Sequence, residues 1–179
     1  MSKRYVDEIR HSGGAVAAMQ FDSTGRITTP ARPAFLVSRS ANISLTEGNV
    51  HQVLPFDDVP FDIGSNFSTA NNHYVCPVDG VYFFSLNVRY DSTTQGSGEY
   101  IRAFIYKGND AATVSTPWNS ADSFLGFISG ENATDFETGA CSGVLQCTAG
   151  DIVTAMGGHF NDTTVTFNNQ SQFSGFLVG

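Results

Sequence analysis

The sequence has little charge, few cysteines and no long apolar run. Only 15% of its 179 residues are charged, and its three cysteines include no CxxC pair and no His/Cys pair at ligand spacing. This pattern argues against a zinc site and favours buried thiols that pack as small apolar side chains. No segment approaches the length of a membrane-spanning helix, so no membrane insertion is expected. The start MSKRYVDEIRH lacks the apolar core of a signal peptide, so we expect a protein made in a cytoplasm that stays soluble.

Positive charge is also scarce, and it is unevenly placed. Residues 1–32 carry a net charge of +2 and the remaining residues a net −10, which together give the −8 of the whole chain. An acidic body repels phosphate, so nucleic-acid binding is not expected. The mildly basic front end suits docking onto an acidic surface, although three acids within it weaken that interpretation.

Aromatic and threonine residues are abundant, and together with the low charge they favour strands over helices. From Ala34 onward, short β-type runs alternate with turn residues and no long helical pattern appears, which predicts an antiparallel sandwich or barrel. In VYFFSLNVRY, Tyr82, Phe84, Leu86 and the residues in step with them share one face, and the first half is apolar on both faces. Residues 1–12 are predicted to form a short helical turn, followed by two short extended pieces around a turn at 23–25.

The sequence contains only weak matches to catalytic and metal-binding motifs. GACSG at residues 139–143 resembles a nucleophile elbow, but the following GVLQC is strand-like, so a hairpin corner is the better interpretation. Asp57, Asp58 and Asp62 are candidate calcium ligands because hard oxygens suit that ion, but their spacing is not that of an EF-hand. A solvated acidic loop is therefore favoured, and no cofactor is predicted. No acid/base pair, triad or phosphate loop is present, so no enzyme is expected.

One set of spacings is specific. The series beginning at Phe56 and continuing through CPVDGVYFF resembles the globular head of complement C1q and its relatives. GVLQCTAGDIV and the closing FSGFLV resemble that family's last strands, and the resemblance runs from about Pro33 to Val178. It rests on the following residues: Phe56, Asp62, Phe67, Tyr74, Gly80, Tyr82, Phe84 and Leu86. Tyr74 stands where the family has Phe, and Leu86 where it has an aromatic residue.

The resemblance implies an all-β, ten-stranded jelly-roll sandwich that assembles as a tight homotrimer. Gly80 would permit the tight turn into its strand, and the closing strand would lie beside the threefold axis. Surplus aromatic rings would form the subunit interface. The expected fold and trimer core comprises Phe56, Phe67, Tyr74, Gly80, Tyr82, Phe84, Leu86, Phe173, Gly175 and Phe176.

The lead-in MQFDSTGRITTPARPAFLV resembles the segment that precedes such heads in virion proteins of tailed bacteriophages. That similarity implies an anchoring arm at residues 1–32, a head at residues 33–179 and a place in the virion. The expected partners are two further copies of the chain, another virion protein bound through Tyr5, Val6, Ile9 and Arg10, and, in one alternative, a host cell-surface component.

The leading hypothesis is capsid decoration, a head fibre or a directly docked accessory protein. The alternatives are a tail-fibre tip or receptor-binding protein, and a bacterial C1q-like binding module. Loops at 91–98 and 129–139 are candidate host contacts.

Overall fold

The computed structural model describes residues 6–45, 48–94, 100–108, 125–128, 134–160 and 165–179. Within these ranges the regular structure is entirely β. The strands are β1 Glu8–Ile9, β2 Met19–Phe21, β3 Ile27–Thr28, β4 Ala34–Ser38, β5 Ile43–Leu45, β6 Gly48–Val53, β7 Asp58–Ile63, β8 Phe67–Ser68, β9 His73–Val75, β10 Gly80–Thr94, β11 Tyr100–Gly108, β12 Leu125–Ile128, β13 Thr134–Cys147, β14 Ile152–Phe160, β15 Val165–Phe167 and β16 Gln172–Leu177. In this part of the chain there is no helix whose length and apolar character would suit a membrane span.

Two antiparallel sheets form the sandwich. The first, here called the β10 sheet, has the order β5-β15-β10-β16-β4-β7, with β13 on the other edge of β10. The second, the β14 sheet, has the order β12-β11-β14-β9-β8, and β6 also pairs with β14. Strand β16 therefore lies in the middle of its sheet, between β10 and β4. The predicted all-β jelly-roll sandwich is confirmed, with its strands broken into shorter segments than the ten expected.

The core lies between the two sheets and is dominated by aromatic rings. On β10, Tyr82, Phe84 and Leu86 are fully buried, while Ser85 and Asn87 face away from the core. Each buried large side chain of this kind contributes about 2 kcal/mol of transfer free energy to folding. The fully buried large side chains are Phe35, Leu54, Phe56, Tyr74, Tyr82, Phe84, Leu86, Tyr90, Phe104, Phe167 and Phe173.

Gly175 makes this ring packing possible. A Cβ atom at residue 175 would lie 2.5 Å from Phe84 Cδ1 and 2.9 Å from Phe35 Cε1. Phe35 in turn stacks on Tyr74 with 4.3 Å between ring centroids. Glycine is therefore needed here because two rings occupy the space of its missing side chain.

The expected role of Gly80 was wrong. It begins β10 and is absent from the positive-φ residues of the described chain, so no left-handed turn depends on it. A Cβ there would instead lie 2.6 Å from Leu177 Cδ1 and 3.0 Å from the carbonyl oxygen of Gly179. Close packing against the last residue of β16 and the chain that follows it, and not turn geometry, requires the glycine.

Three local expectations need correction. A helical turn was expected over residues 1–12; in the part of it that the structure describes, residues 6–12, the strand β1 pairs with β2 instead, because residues 19–20 supply its backbone partners. The acidic loop expected around Asp58 is the strand β7, whose Pro60 suits its edge position and the register shift opposite it. GACSG lies inside the continuous strand β13, paired with β10, and is neither an elbow nor a hairpin corner.

Candidate functional site

The outer face of the β10 sheet, which points away from the core, carries a row of apolar side chains. Strand register places five residues from five strands side by side: Val144, Phe83, Phe176, Ala34 and Ile63. The rings of Phe83 and Phe176 are in contact, with centroids 5.4 Å apart. Phe176 is still 44% exposed and Val144 61% exposed. This set, here called the apolar row, is therefore incompletely covered within one chain.

The polarity of this face changes along the strands. Two residues further along β10, three serines from β13, β10 and β16 occupy the next row, while Leu36 and Phe61 continue the apolar surface toward the β7 edge. Beyond them the rows become polar, with Asn87 beside Gln172. The face thus has an apolar end, near the first residues of β10, and a polar end, toward the last residues of β10.

Arg89 organises the polar end. Its Nε donates to Asp91 Oδ1 at 2.6 Å and its Nη1 donates to Gln170 Oε1 at 2.7 Å. The guanidinium carbon also lies 4.7 Å from the centroid of the Phe136 ring. These partners fix the side chain over an open concavity of about 500 Å³ that Thr138 also lines. The concavity is open to solvent and not enclosed, unlike a substrate pocket.

The expected trimer-core residues divide between the two faces. Phe176 lies on the outer face, in the apolar row. The others point into the sandwich or line its edge: Phe56, Tyr74, Tyr82, Phe84, Leu86, Phe173 and Gly175 are buried, and Phe67 and Gly80 are half-buried. Sequence reasoning missed the rest of the apolar row, although the two apolar faces of VYFF were a visible sign of it.

The N-terminal sheet β1-β2-β3 has one apolar and one polar face. Its register places Ile9 beside Met19 and Phe21 beside Ile27, whereas Glu8, Gln20 and Thr28 share the opposite face. Ile9 and Ile27 are each more than half exposed. The apolar face of this small sheet is thus open to solvent within one chain.

The expected docking residues take different positions in this region. Ile9 lies on the apolar face, and Val6 is exposed just before β1. Arg10 donates from Nη1 to the carbonyl oxygen of Ala15 and pairs with Glu8, so it braces the loop between β1 and β2. Tyr5 lies outside the described residues, as do parts of the two candidate host-contact loops.

The three calcium candidates do not converge. Their carboxylates take separate partners: Asp57 accepts from Ser40 and pairs with Arg39, Asp58 accepts from Ser38, and Asp62 accepts from the amide of Phe67. The Ser40 amide is the main reason that the pKa of Asp57 lies below its usual range. Across the described ranges no three His, Cys, Asp or Glu side chains are grouped to hold a metal ion. The calcium hypothesis is therefore not supported.

Buried tyrosines in the core are structural and not reactive. Desolvation raises the pKa of Tyr82 to about 12, even though its hydroxyl donates to the carbonyl oxygen of Val78 at 2.9 Å. Burial likewise raises the pKa of Tyr74 and Tyr90. Phenols held protonated in this way cannot act as bases near neutral pH.

A two-sheet jelly roll with an uncovered apolar row on one sheet belongs to the class of binding and assembly domains. The chain is a member of the C1q domain family, whose model matches residues 34–178. It is also similar to a solved structure described as the globular domain of zebrafish complement 1qA protein. The TM-score is 0.54 at 20% identity, covering 83% of this chain and 98% of that one. C1q domains are binding and structural domains that typically self-associate as trimers.

Proposed function

We propose that this chain is a non-enzymatic, trimeric structural protein of a bacteriophage particle, docked by its N-terminal arm at residues 1–32 so that the head at residues 33–179 projects. The observation that carries the assembly part is the apolar row on the outer face of the β10 sheet. The phage setting is supported by the lead-in that resembles those of phage virion proteins. Within a particle, capsid decoration or a similar accessory role is the preferred assignment.

The physical case for self-assembly rests on the composition of the outer face. The apolar row presents two phenylalanines and two branched side chains, and the serine row beside it carries no charge. Burying such a surface is favourable and requires no desolvation of charge. Stable interfaces bury an apolar patch beside polar residues, and this face offers the apolar row at one end and polar rows at the other.

Light scattering of the purified chain tests the assembly. For the unsubstituted protein we expect three times the 19.2 kDa chain mass. We expect the double variant Phe83→Glu/Phe176→Glu to be monomeric, because a trimer would bury six carboxylates close to one another. The control is Phe136→Glu, which places a carboxylate at the polar end of the same face, opposite Asp91, and should leave the trimer intact. A wild-type mass near that of one chain would refute the trimer.

Particle incorporation tests the docking arm. Removing residues 1–12 deletes β1, and we expect a folded trimer that no longer joins particles. A finer pair is Ile27→Asp against Thr28→Asp, since the two adjacent residues lie on opposite faces of the N-terminal sheet. The first variant should lose incorporation and the second should keep it. Equal incorporation of both variants would contradict docking through the apolar face.

Two other assignments remain distinguishable by experiment. A tail-fibre tip or receptor-binding protein would bind host cells as an isolated trimer, whereas a decoration protein would bind emptied capsids. A bacterial C1q-like binding module would do neither, and its gene would not lie beside capsid or tail genes.

A further inference from the structure

Cys76 and Cys147 come together in the core from opposite sheets. Cys76 follows β9 in the β14 sheet, and Cys147 ends β13 in the β10 sheet. Both side chains are fully buried in one core cluster, and neither is in a disulfide. Each thiol shifts the pKa of the other, and Cys147 Sγ also donates to the carbonyl oxygen of Leu145 at 3.9 Å. Seventy residues separate them in the sequence, so only the fold creates this pair.

Backbone hydrogen bonds fix the pair. The amide of Cys76 donates to the carbonyl oxygen of Asp151, and the amide of Gly150 donates to the carbonyl oxygen of Cys76, both at 2.8 Å. The intervening turn is closed by Asp151 Oδ2, which accepts from the amide of Thr148 at 2.9 Å. On its other side, Cys147 pairs with Gly80 at the start of β10. The backbone position of each cysteine is therefore fixed by its neighbouring strands and turn.

The surroundings favour ionisation of Cys147 over Cys76. The thiol of Cys76 and, more weakly, the nearby ammonium of Lys107 lower the pKa of Cys147, against an opposing effect of burial and of Asp151. Lys107 is itself held in place, since its Nζ donates to the carbonyl oxygen of Gln146 at 3.0 Å and lies 3.5 Å from Asp151 Oδ2. A thiol with a lowered pKa beside a second thiol is the arrangement of a redox-active pair.

We propose that Cys76 and Cys147 form a reversible dithiol–disulfide site that cross-links the two sheets when a peroxide is present. The Cys147 thiolate attacks one oxygen of hydrogen peroxide, the O–O bond breaks, and hydroxide leaves with a sulfenic acid on Cys147. Cys76 loses its proton to that hydroxide and its sulfur attacks the Cys147 sulfur. The S–O bond breaks, the S–S bond forms, and the oxygen leaves as hydroxide, which takes up the proton that Cys147 released to solvent on ionising and becomes water. Two electrons pass from the sulfurs to the peroxide.

Burial makes this reaction slow and selects the oxidant. Both sulfurs are covered, so the oxidant must be small and uncharged. The segment after Cys76 offers a route, because Pro77 and Val78 form one wall of an open concavity of about 540 Å³. A large disulfide would need the sandwich to open, and a peroxide would need only local loosening of this segment.

Cys141 provides a matched internal control. It lies on the same strand as Cys147, on the core face and opposite Leu86. Burial raises its pKa to about 11, which keeps it protonated at neutral pH. It should therefore keep its thiol under conditions that oxidise the pair.

The test exposes the full chain to hydrogen peroxide at neutral pH, then unfolds it and alkylates the remaining thiols. We expect the number of alkylated cysteines to fall from three to one, a mass loss of about 2 Da before alkylation, and a peptide linking residues 76 and 147 in the digest. Cys141→Ser should still form the link. Cys76→Ser and Cys147→Ser should not, and a thiol reductant should restore three thiols in the unsubstituted protein.

The digest of the unsubstituted protein decides the matter even if a cysteine variant fails to fold. Oxidation to sulfinic acid without a link, or a link that includes Cys141, would overturn the proposal. A second readout is thermal: the oxidised chain should unfold at a midpoint higher by about 5–10 °C, because a cross-link across so long a loop restricts the unfolded chain. An unchanged midpoint in a linked chain would contradict an inter-sheet cross-link.

Discussion

At the scale of single residues, Gly175 shows how the core and the outer face constrain each other. Its neighbours Ser174 and Phe176 point outward, while its missing side chain makes room for the rings of Phe84 and Phe35. The same strand must therefore supply an outward phenylalanine and an inward void one residue apart. A pattern search finds the glycine, but only the packing explains why no larger residue can replace it.

We expect Gly175→Ala to lower the free energy of unfolding by about 1–3 kcal/mol, because the new methyl group must displace two packed rings. Urea denaturation followed by near-UV circular dichroism of the aromatic residues measures this change. Ser174→Ala is the control, since its side chain lies on the outer face and the substitution should cost less than about 0.5 kcal/mol. Equal effects of the two substitutions would contradict the described packing.

At the scale of elements, the turn between β2 and β3 is built around one carboxylate. Asp22 Oδ1 accepts from the amides of Thr24 and Arg26 at 2.8 and 2.9 Å, and Gly25 adopts a φ of 83°. The Thr24 hydroxyl and the Arg26 side chain also donate to this carboxylate. The turn was predicted from Ser23-Thr24-Gly25. The preceding residue, Asp22, accepts hydrogen bonds from nearby backbone amides, as aspartate side chains commonly do in turns.

These donors, chiefly the Thr24 hydroxyl and the Arg26 amide, hold the pKa of Asp22 well below its usual range. A carboxylate whose pKa is lower in the folded state stabilises the turn fully above its unfolded pKa of about 4. That stabilisation should decline as the pH falls below this value. Amide hydrogen exchange at Arg26 should therefore speed up relative to its intrinsic rate in acid, and Asp22→Ala should speed it up at neutral pH. The Leu86 amide in β10 should remain protected in both cases.

The elements that were predicted correctly are those with a strong local pattern. In β10, five alternating apolar residues define one buried face without knowledge of any partner strand. In β1 and β7 the local signals are poor, since β1 has two residues and β7 contains Pro60 between acidic residues. Both are strands because another strand supplies their hydrogen bonds, and that information is not local.

The apolar row could not be read from the sequence for a related reason. Each of its five residues belongs to a different strand, and they become neighbours only when the register of the β10 sheet is known. A shift of one residue would turn every one of them to the other face. The thiol pair is likewise invisible in the sequence, because it depends on two sheets meeting.

At the scale of the whole molecule, charge and apolar surface oppose each other. Each chain carries a net charge of −8, so association brings like charges together, while the apolar row favours association. The row itself is uncharged, and the repulsion is therefore long-range and sensitive to salt.

We expect the proposed trimer to be more stable to dilution at high ionic strength than at low ionic strength. Sedimentation at 0.5 M compared with about 0.02 M salt, where the screening lengths differ several-fold, measures this dependence. The thermal midpoint should also rise with protein concentration, since oligomer formation stabilises the folded state by mass action. An assembly that weakens in high salt would indicate an interface held by ion pairs and not by the apolar row.

The central position of β16 also has a consequence for how the protein is made. Strand β16 alone covers one edge of β4, and it covers residues 82–87 on an edge of β10 whose residues 90–91 pair with the equally late β15. Strand β16 begins at Gln172, 92 residues after β10 begins at Gly80. Until that late segment leaves the ribosome, the nascent chain carries two open strand edges lined with phenylalanine and tyrosine. Such edges readily pair with other chains. The sandwich must therefore close after translation of the head rather than during it, and crowded polysomes would be the place where this protein aggregates first.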